Sequence, residues 1–244
     1  MKIWIAFWNI LRKDMKNYYL MPSNVNWGIF FPLSWTLTQF IRASGNINVI
    51  EFLPGLMAVS VLFGTTSLLA VTITYERKGR SFDRLLLSPI STNTLLLAKI
   101  TGTILFGIFN AAVPVIIAAF FTDLSGVNWG VVILSVFLIA MTSTLIGLVA
   151  AVSAKEVFEA QMMSNFFRFP MLFLCGTIMP IRNLPVFLRP ISYCLPLTYG
   201  TDLLNGAIPG NGVITPLLSI PLLLAFTIAL FFYSRNTMNR KWIV

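Results

Sequence analysis

The residues best equipped to do work in this chain stand together at 75–90, in the run YERKGRSFDRLLLSPI. It holds Glu76, Arg77, Lys78, Arg80, Asp83 and Arg84 around Phe82, then Leu85 and Leu86, and ends on Ser88 and Pro89. Six of the chain's 25 charges (17 basic plus 8 acidic) fall in these sixteen residues. Their chemistry is that of contact rather than bond-making. Histidine is absent from all 244 residues, which removes His-ligated zinc, haem and di-iron sites and every His-dependent triad, and no metal site is expected. There is no G-x-x-x-x-G-K-[ST] phosphate cradle, so the chain is no ATP-driven motor by itself. A Ser–Lys pair would have to use Lys99, near an inner helix end, where a lysine more simply snorkels to the interface. Cys175 and Cys194 form no C-x-x-C unit; a disulfide between them and two separate apolar thiols both stay open.

The elements that must position the charged run are written in the composition. With 57% apolar residues, 10% charged and a mean hydropathy of +0.84, the chain lacks the charge to coat a soluble core. It reads as an all-α integral membrane protein, a single transmembrane domain over 1–244. An apolar slab of ~30 Å needs ~20 helical residues. Six runs qualify, at 25–41, 52–74, 95–121, 130–153, 162–180 and 213–233. Ahead of them, 1–22 lacks a clean signal-peptide core and cleavage site. It sets Trp4, Phe7, Trp8, Leu11, Met15 and Tyr18 at helical spacing opposite Lys2, Asn9, Arg12, Lys13 and Lys16, the pattern of a helix lying in the membrane interface.

An even number of spans puts both termini on one side. With that side cytoplasmic, thirteen basic residues lie inside and only Arg42, Arg182 and Arg189 outside, with Arg168 inside a span. The positive-inside rule therefore orients the chain as a multi-pass protein of the cell membrane with cytoplasmic termini. The same asymmetry accounts for the +9 net charge without a nucleic-acid partner.

Within the spans, Ser60, Gly64, Ser67, Val71 and Thr74 recur at helical spacing, as do Thr103, Gly107, Asn110 and Pro114, and Ala140, Thr144, Gly147 and Ala151. Such stripes let helices approach closely where lipid gives no hydrophobic drive. A substrate path is the alternative, with Ser34, Thr38, Ser60, Asn110 and Arg168 as its candidate lining. Arg168 either snorkels to the inner interface or meets an anionic cargo group. Glu51 is a gate or a partner for Arg42, or else a solvated carboxylate. The segment 181–211, entered at Pro180, carries Pro185, Pro190, Pro196 and Pro209 with Tyr199. One spanning helix cannot absorb so many prolines, so short helices re-entering the outer leaflet, a plug over the path, are expected.

The charged run at 76–93 falls on the cytoplasmic side between the second and third spans. Ser81 can cap a short helix, Asp83 suits its first turn, Phe82, Leu85 and Leu86 share one face, and Pro89 stops it. An aromatic-aliphatic ridge flanked by charge suits docking into a cytoplasmic partner.

Here the residues resemble a known family. Glu76-Arg77, a hydroxyl residue, an aromatic, Asp-Arg-Leu-Leu and Ser-Pro resemble the coupling segment of the ATP-binding-cassette (ABC) type-2 permeases. Phe52-Leu53-Pro54-Gly55-Leu56 is similar to that family's opening of the second span. Gly176, Pro180, Leu184-Pro185 and Pro196-Leu197-Thr198-Tyr199 are similar to its outer segment. One departure stands out: the family's Gly-Thr before the aromatic is here Arg80-Ser81, with Gly79 one residue early. The resemblance implies a six-helix permease subunit of an ABC exporter. It would pair with a second copy or a homologous permease, bind membrane lipids, and dock a separate ABC ATPase through 76–90. It is then no enzyme itself; ATP and Mg would belong to the ATPase, and no cofactor to this chain. Its cargo would be an amphipathic drug, lipid or glycan. An ion-coupled secondary transporter is the main rival. Such carriers keep acids within the membrane, whereas all eight acids here fall at span ends or outside. A membrane scaffold subunit is the other.

Overall fold

The computed structural model describes residues 2–19, 30, 33–34, 37–38, 49–86 and 91–242. Most of the expected first span, Arg42, Ser88 and Pro89 lie outside these residues. Every regular element among them is helical. In chain order they are α1 (Lys2–Asp14), which runs on into a π-helical segment (Met15–Tyr19), α2 (Val49–Lys78), α3 (Ser81–Leu86), α4 (Thr92–Ala119), α5 (Trp129–Ser153), α6 (Val157–Leu174), α7 (Arg189–Tyr193), α8 (Pro196–Ala207) and α9 (Pro216–Trp242). A short 3₁₀ turn, Ile181–Asn183, precedes α7.

Four of these are long and apolar enough to cross a membrane: α2, α4, α5 and the apolar part of α9. α2 is the hub. Of its most apolar stretch 94% is buried inside the protein, and it packs against α4, α5 and α6. Its thirty residues make roughly 45 Å of helix, so its charged last turn reaches past an apolar slab of ~30 Å. α9 is the opposite case. Only 22% of its most apolar stretch is buried, and Leu217, Ile228 and Phe232 face outward.

The small-residue stripes are where the helices touch. A Cβ at Gly147 of α5 would come 2.5 Å from the Thr66 carbonyl oxygen of α2. One at Gly107 of α4 would come 2.4 Å from Thr65 Cγ2. Glycine permits these approaches, backbone to backbone at Gly147 and backbone to the Thr65 methyl at Gly107, and dispersion contact follows. Ser60 belongs to the same buried seams, its hydroxyl donating to the Leu56 carbonyl (2.8 Å). Asn110 is likewise buried, and its amide fills the space that a side chain on Gly64 would need.

Two boundaries differ from the sequence reading. The expected fifth span, 162–180, is the 18-residue helix α6, which starts five residues earlier and ends at Leu174. Gly176 takes a left-handed backbone (φ +76°) just beyond, where glycine is the residue without a steric penalty. The segment 180–211 is broken into short helices, α7 and α8 each opening with a proline in the first turn, where its missing N–H costs nothing. Cys175 is buried, Cys194 exposed, and both are free thiols.

Candidate functional site: the charged corner at the end of α2

The last turn of α2, the start of α4 and the end of α1 converge on one buried group of charges. Glu76 of α2 receives Lys13 Nζ at 2.6 Å on Oε1 and Lys99 Nζ at 2.7 Å on Oε2. Lys99 of α4 also donates to Asp14 Oδ2 at 2.8 Å, and Lys13 lies 3.5 Å from Asp14 Oδ1. Two cations and two carboxylates make the cluster neutral. The side chains of Asp14, Glu76 and Lys99 are 0–1% exposed; that of Lys13, at 34%, reaches water. Burial raises the Asp14 pKa above its ordinary value, and Lys99 partly opposes the rise. Burial also works against the Lys13 ammonium, but the hydrogen bond to Glu76 and the attraction of both carboxylates outweigh it, and its pKa lies above the ordinary value.

This corrects two readings. Lys99 does not snorkel to the interface; it turns inward and ties α1 to α2. Glu76 turns inward as well, so its carboxylate is engaged by this chain's own lysines. Sequence reasoning missed the cluster because its members are 63 and 85 residues apart. The available signal was that Asp14, Glu76 and Lys99 all fall near helix ends expected on one side of the membrane, in a chain with few charges.

One residue further on, Arg77 Nη1 donates to the Ala154 carbonyl (3.1 Å), at the corner between α5 and α6. Glu76 and Arg77 thus fasten the end of α2 to three other helices. The chain then bends. Gly79 N–H bonds the Tyr75 carbonyl (3.0 Å), Arg80 N–H bonds the Arg77 carbonyl (2.9 Å), and Arg80 adopts φ +54°. A left-handed residue ending a helix is the usual glycine cap, here made by an arginine. The bend occurs at Arg80, where the resemblance to the family places a glycine.

α3 follows at once. The shared face predicted for Phe82 and Leu85 exists, but it faces home: Phe82 is 1% exposed within the main core, with Leu85 packed against it. The expectation that Phe82 fills a partner's groove is therefore corrected, since it anchors α3 to its own bundle. The backbone of Asp83, Arg84 and Leu86 continues the helix.

The remaining predicted positions are spread over the molecule. Thr38 Oγ1 donates to the Ser34 carbonyl (2.8 Å), both exposed. Arg168 does not reach the inner interface; it is fully buried between α6 and α2. At the end of the bundle opposite the charged corner, Glu51, Pro180, Asp202 and Pro209 help line a cavity of about 830 Å³. Tyr199 donates to the Tyr193 carbonyl (2.7 Å), joining α8 to α7. Asp202 accepts the Val213 and Ile214 N–H groups (2.9 Å each), fixing the entry to α9.

The model of the ABC-2 type transporter family matches residues 5–208. The "Inner membrane transport permease YadH" of Escherichia coli K12 is 24% identical over 204 residues, 80% of each chain. "Nodulation protein J" of Sinorhizobium fredii is 23% identical over 219 residues, covering 86% of this chain and 81% of its own. "Probable multidrug ABC transporter permease YbhR" of Escherichia coli K12 is 23% identical over 155 residues, 62% of this chain and 41% of its own. With 204 consecutive residues matched, from α1 through the charged corner to the end of α8, this chain belongs to the ABC-2 type transporter family.

Proposed function

We propose that this chain is the membrane permease of an ATP-driven exporter, working as a pair of permeases with a separate cytoplasmic ATPase. The observation that carries this reading is the corner at 76–86. A short helix leaves α2 through a left-handed bend, and the α2 end behind it is fastened to α1, α4 and the α5–α6 corner. A force applied to α3 reaches four helices without passing through a loose linker. That is the mechanical requirement for a chain without a nucleotide cradle of its own. Since Phe82 anchors α3, the docking contacts fall to the remaining residues of the segment, Asp83, Arg84, Leu86, Ser88 and Pro89. The basic bias of the inner loops supports a cell-membrane protein with cytoplasmic termini. The names of YadH and YbhR support transport, and the word multidrug in YbhR's supports a drug-like cargo. Proline-broken 180–211 serves as the outer plug.

The test is co-expression with the ABC ATPase of the same cells, purification, and reconstitution in lipid nanodiscs. The pair should co-purify and hydrolyse ATP faster than the ATPase alone. Arg84→Ala with Leu86→Ala should leave insertion intact while weakening co-purification by about tenfold or more, the loss of ~1.4 kcal/mol or more at a docking contact. Unchanged assembly and transport in that variant would defeat the docking role. Cargo movement without any ATPase would favour the ion-coupled carrier instead.

A further inference from the structure

Among the described residues, no acidic side chain neutralises the charge of Arg168. Its side chain is fully buried between α6 and α2. Nε donates to the Ser164 carbonyl (3.3 Å), Nη2 donates to Ser67 Oγ (2.6 Å), and the guanidinium lies 5.0 Å from the Phe63 ring centroid. All three partners are neutral. Nη1 has no hydrogen-bond partner among the described residues, and no described carboxylate pairs with this arginine. The acids at the start of α6, Glu156 and Glu159, stand nine or more residues away, roughly 13 Å or more along the helix. A buried guanidinium with an open donor and no counter-ion is costly, and such a cation within a membrane bundle is retained for a ligand or an ion path.

The polar groups of the seam continue toward the surface. Gln161, two helical turns toward the inner end and only partly buried, places its amide 3.2 Å from Ser67 Oγ. Gln161, Ser67 and Arg168 thus form a polar track from the protein surface to the buried charge. On the exposed side of the same helix α6 carries Phe158, Met162, Phe166, Phe169 and Phe173, side chains that adapt to an alkyl or aromatic tail. Arg77 holds the α5–α6 corner, from which α6 and this seam start.

We infer that Arg168 is the recognition point for the anionic head group, phosphate or carboxylate, of an amphiphile whose tail lies on the aromatic and methionine face of α6. This deepens the transport reading and rests on it for its purpose. Its test does not, because binding is measured on the permease without any ATPase or nucleotide. Purified chain in phosphatidylcholine nanodiscs is titrated with dodecyl phosphate, dodecanol and inorganic phosphate. Dodecyl phosphate should bind at least about tenfold tighter than either. Arg168→Gln should erase that preference while leaving dodecanol binding unchanged, and Arg168→Lys should retain part of it, keeping charge but not the guanidinium fork. Ser67→Ala, which keeps the charge, should weaken dodecyl phosphate alone and serves should Arg168→Gln misfold. Competition by phosphatidylglycerol in the disc would support the site and identify a bilayer lipid as the source of the head group; no competition would support it with a free amphiphile as the source. Equal binding of dodecyl phosphate and dodecanol, or a preference that survives both Arg168→Gln and Ser67→Ala, would overturn it. Inorganic phosphate binding as tightly as dodecyl phosphate would remove the amphiphile from it.

Discussion

Lys99 Nζ stands 2.7 Å from Glu76 Oε2, with neither side chain reaching solvent, and the same ammonium bonds Asp14 at 2.8 Å. One lysine therefore holds two carboxylates from two other helices. Removing it strands negative charge in the interior, which costs about 3–5 kcal/mol when a buried pair is broken from one side. Lys99→Met is expected to lower the melting temperature in detergent sharply. Adding Asp14→Asn should recover much of the loss, because Lys13 and Glu76, 2.6 Å apart, still make a neutral pair. If the single and double variants melt together, the three groups are not coupled.

The seam between α2 and α5 gives a second expectation. At Gly147 a methyl group would meet the Thr66 backbone at 2.5 Å, and backbone cannot swing aside as a side chain can. Overpacking of this kind costs ~1–3 kcal/mol. Gly126, with nothing within 4 Å of a Cβ, is the control. Gly147→Ala should melt well below wild type and Gly126→Ala close to it. Equal melting would mean that α2 and α5 are not held this close.

Arg80 supplies a stabilising change. Its φ of +54° costs an L-residue ~1–2 kcal/mol, of which glycine avoids nearly all while giving back ~0.5–1 kcal/mol to the unfolded chain. Arg80→Gly should therefore raise stability by about 0.5–1 kcal/mol in reversible detergent unfolding. A β-branched replacement, Arg80→Val, should lower it. If Arg80→Gly destabilises, the arginine side chain holds something that outweighs the backbone cost.

Hydropathy was enough to find α2, α4, α5 and α9, because ~20 apolar residues in a row have few other uses. It misplaced ends where a helix continues in polar sequence. Residues 75–78 remain helical in α2 because charge is no obstacle to a helix beyond the apolar slab. It misplaced α6 because residues 175–180 are apolar but conformationally unsuited: Gly176 turns left-handed and Pro180 lacks an N–H. The face shared by Phe82 and Leu85 was readable from spacing, but which body it packs on was not. Periodicity reports that a face is apolar, and only tertiary structure says whose core it joins. The same limit applied to Lys99 and Arg168. A long basic side chain near a helix end reads as reaching outward until the carboxylate or hydroxyl on the neighbouring helix is seen.

Asp202 links α8 to the start of α9, and its ionisation should be visible in stability. Burial pushes its carboxyl above the ordinary value of 3.8, while the N–H groups of Val213 and Ile214 and the charge of Arg182 pull it partly back. The net rise means that the folded chain holds this proton more tightly than the unfolded one. Its contribution to stability is then fully present below pH 3.8 and lost as pH rises through the raised folded value. Asp202→Asn cannot ionise. It keeps one acceptor but turns an amide N–H toward one of the two backbone donors, a defect that does not change with pH. The stability of wild type minus that of Asp202→Asn should therefore be largest at acid pH and shrink over the interval just above 3.8, then level off. Melting of both proteins in one detergent from about pH 4 to about pH 7 reads this directly. A difference that grows with pH would show that the backbone donors and Arg182 outweigh burial, with the carboxylate rather than the acid as the form that holds the entry to α9.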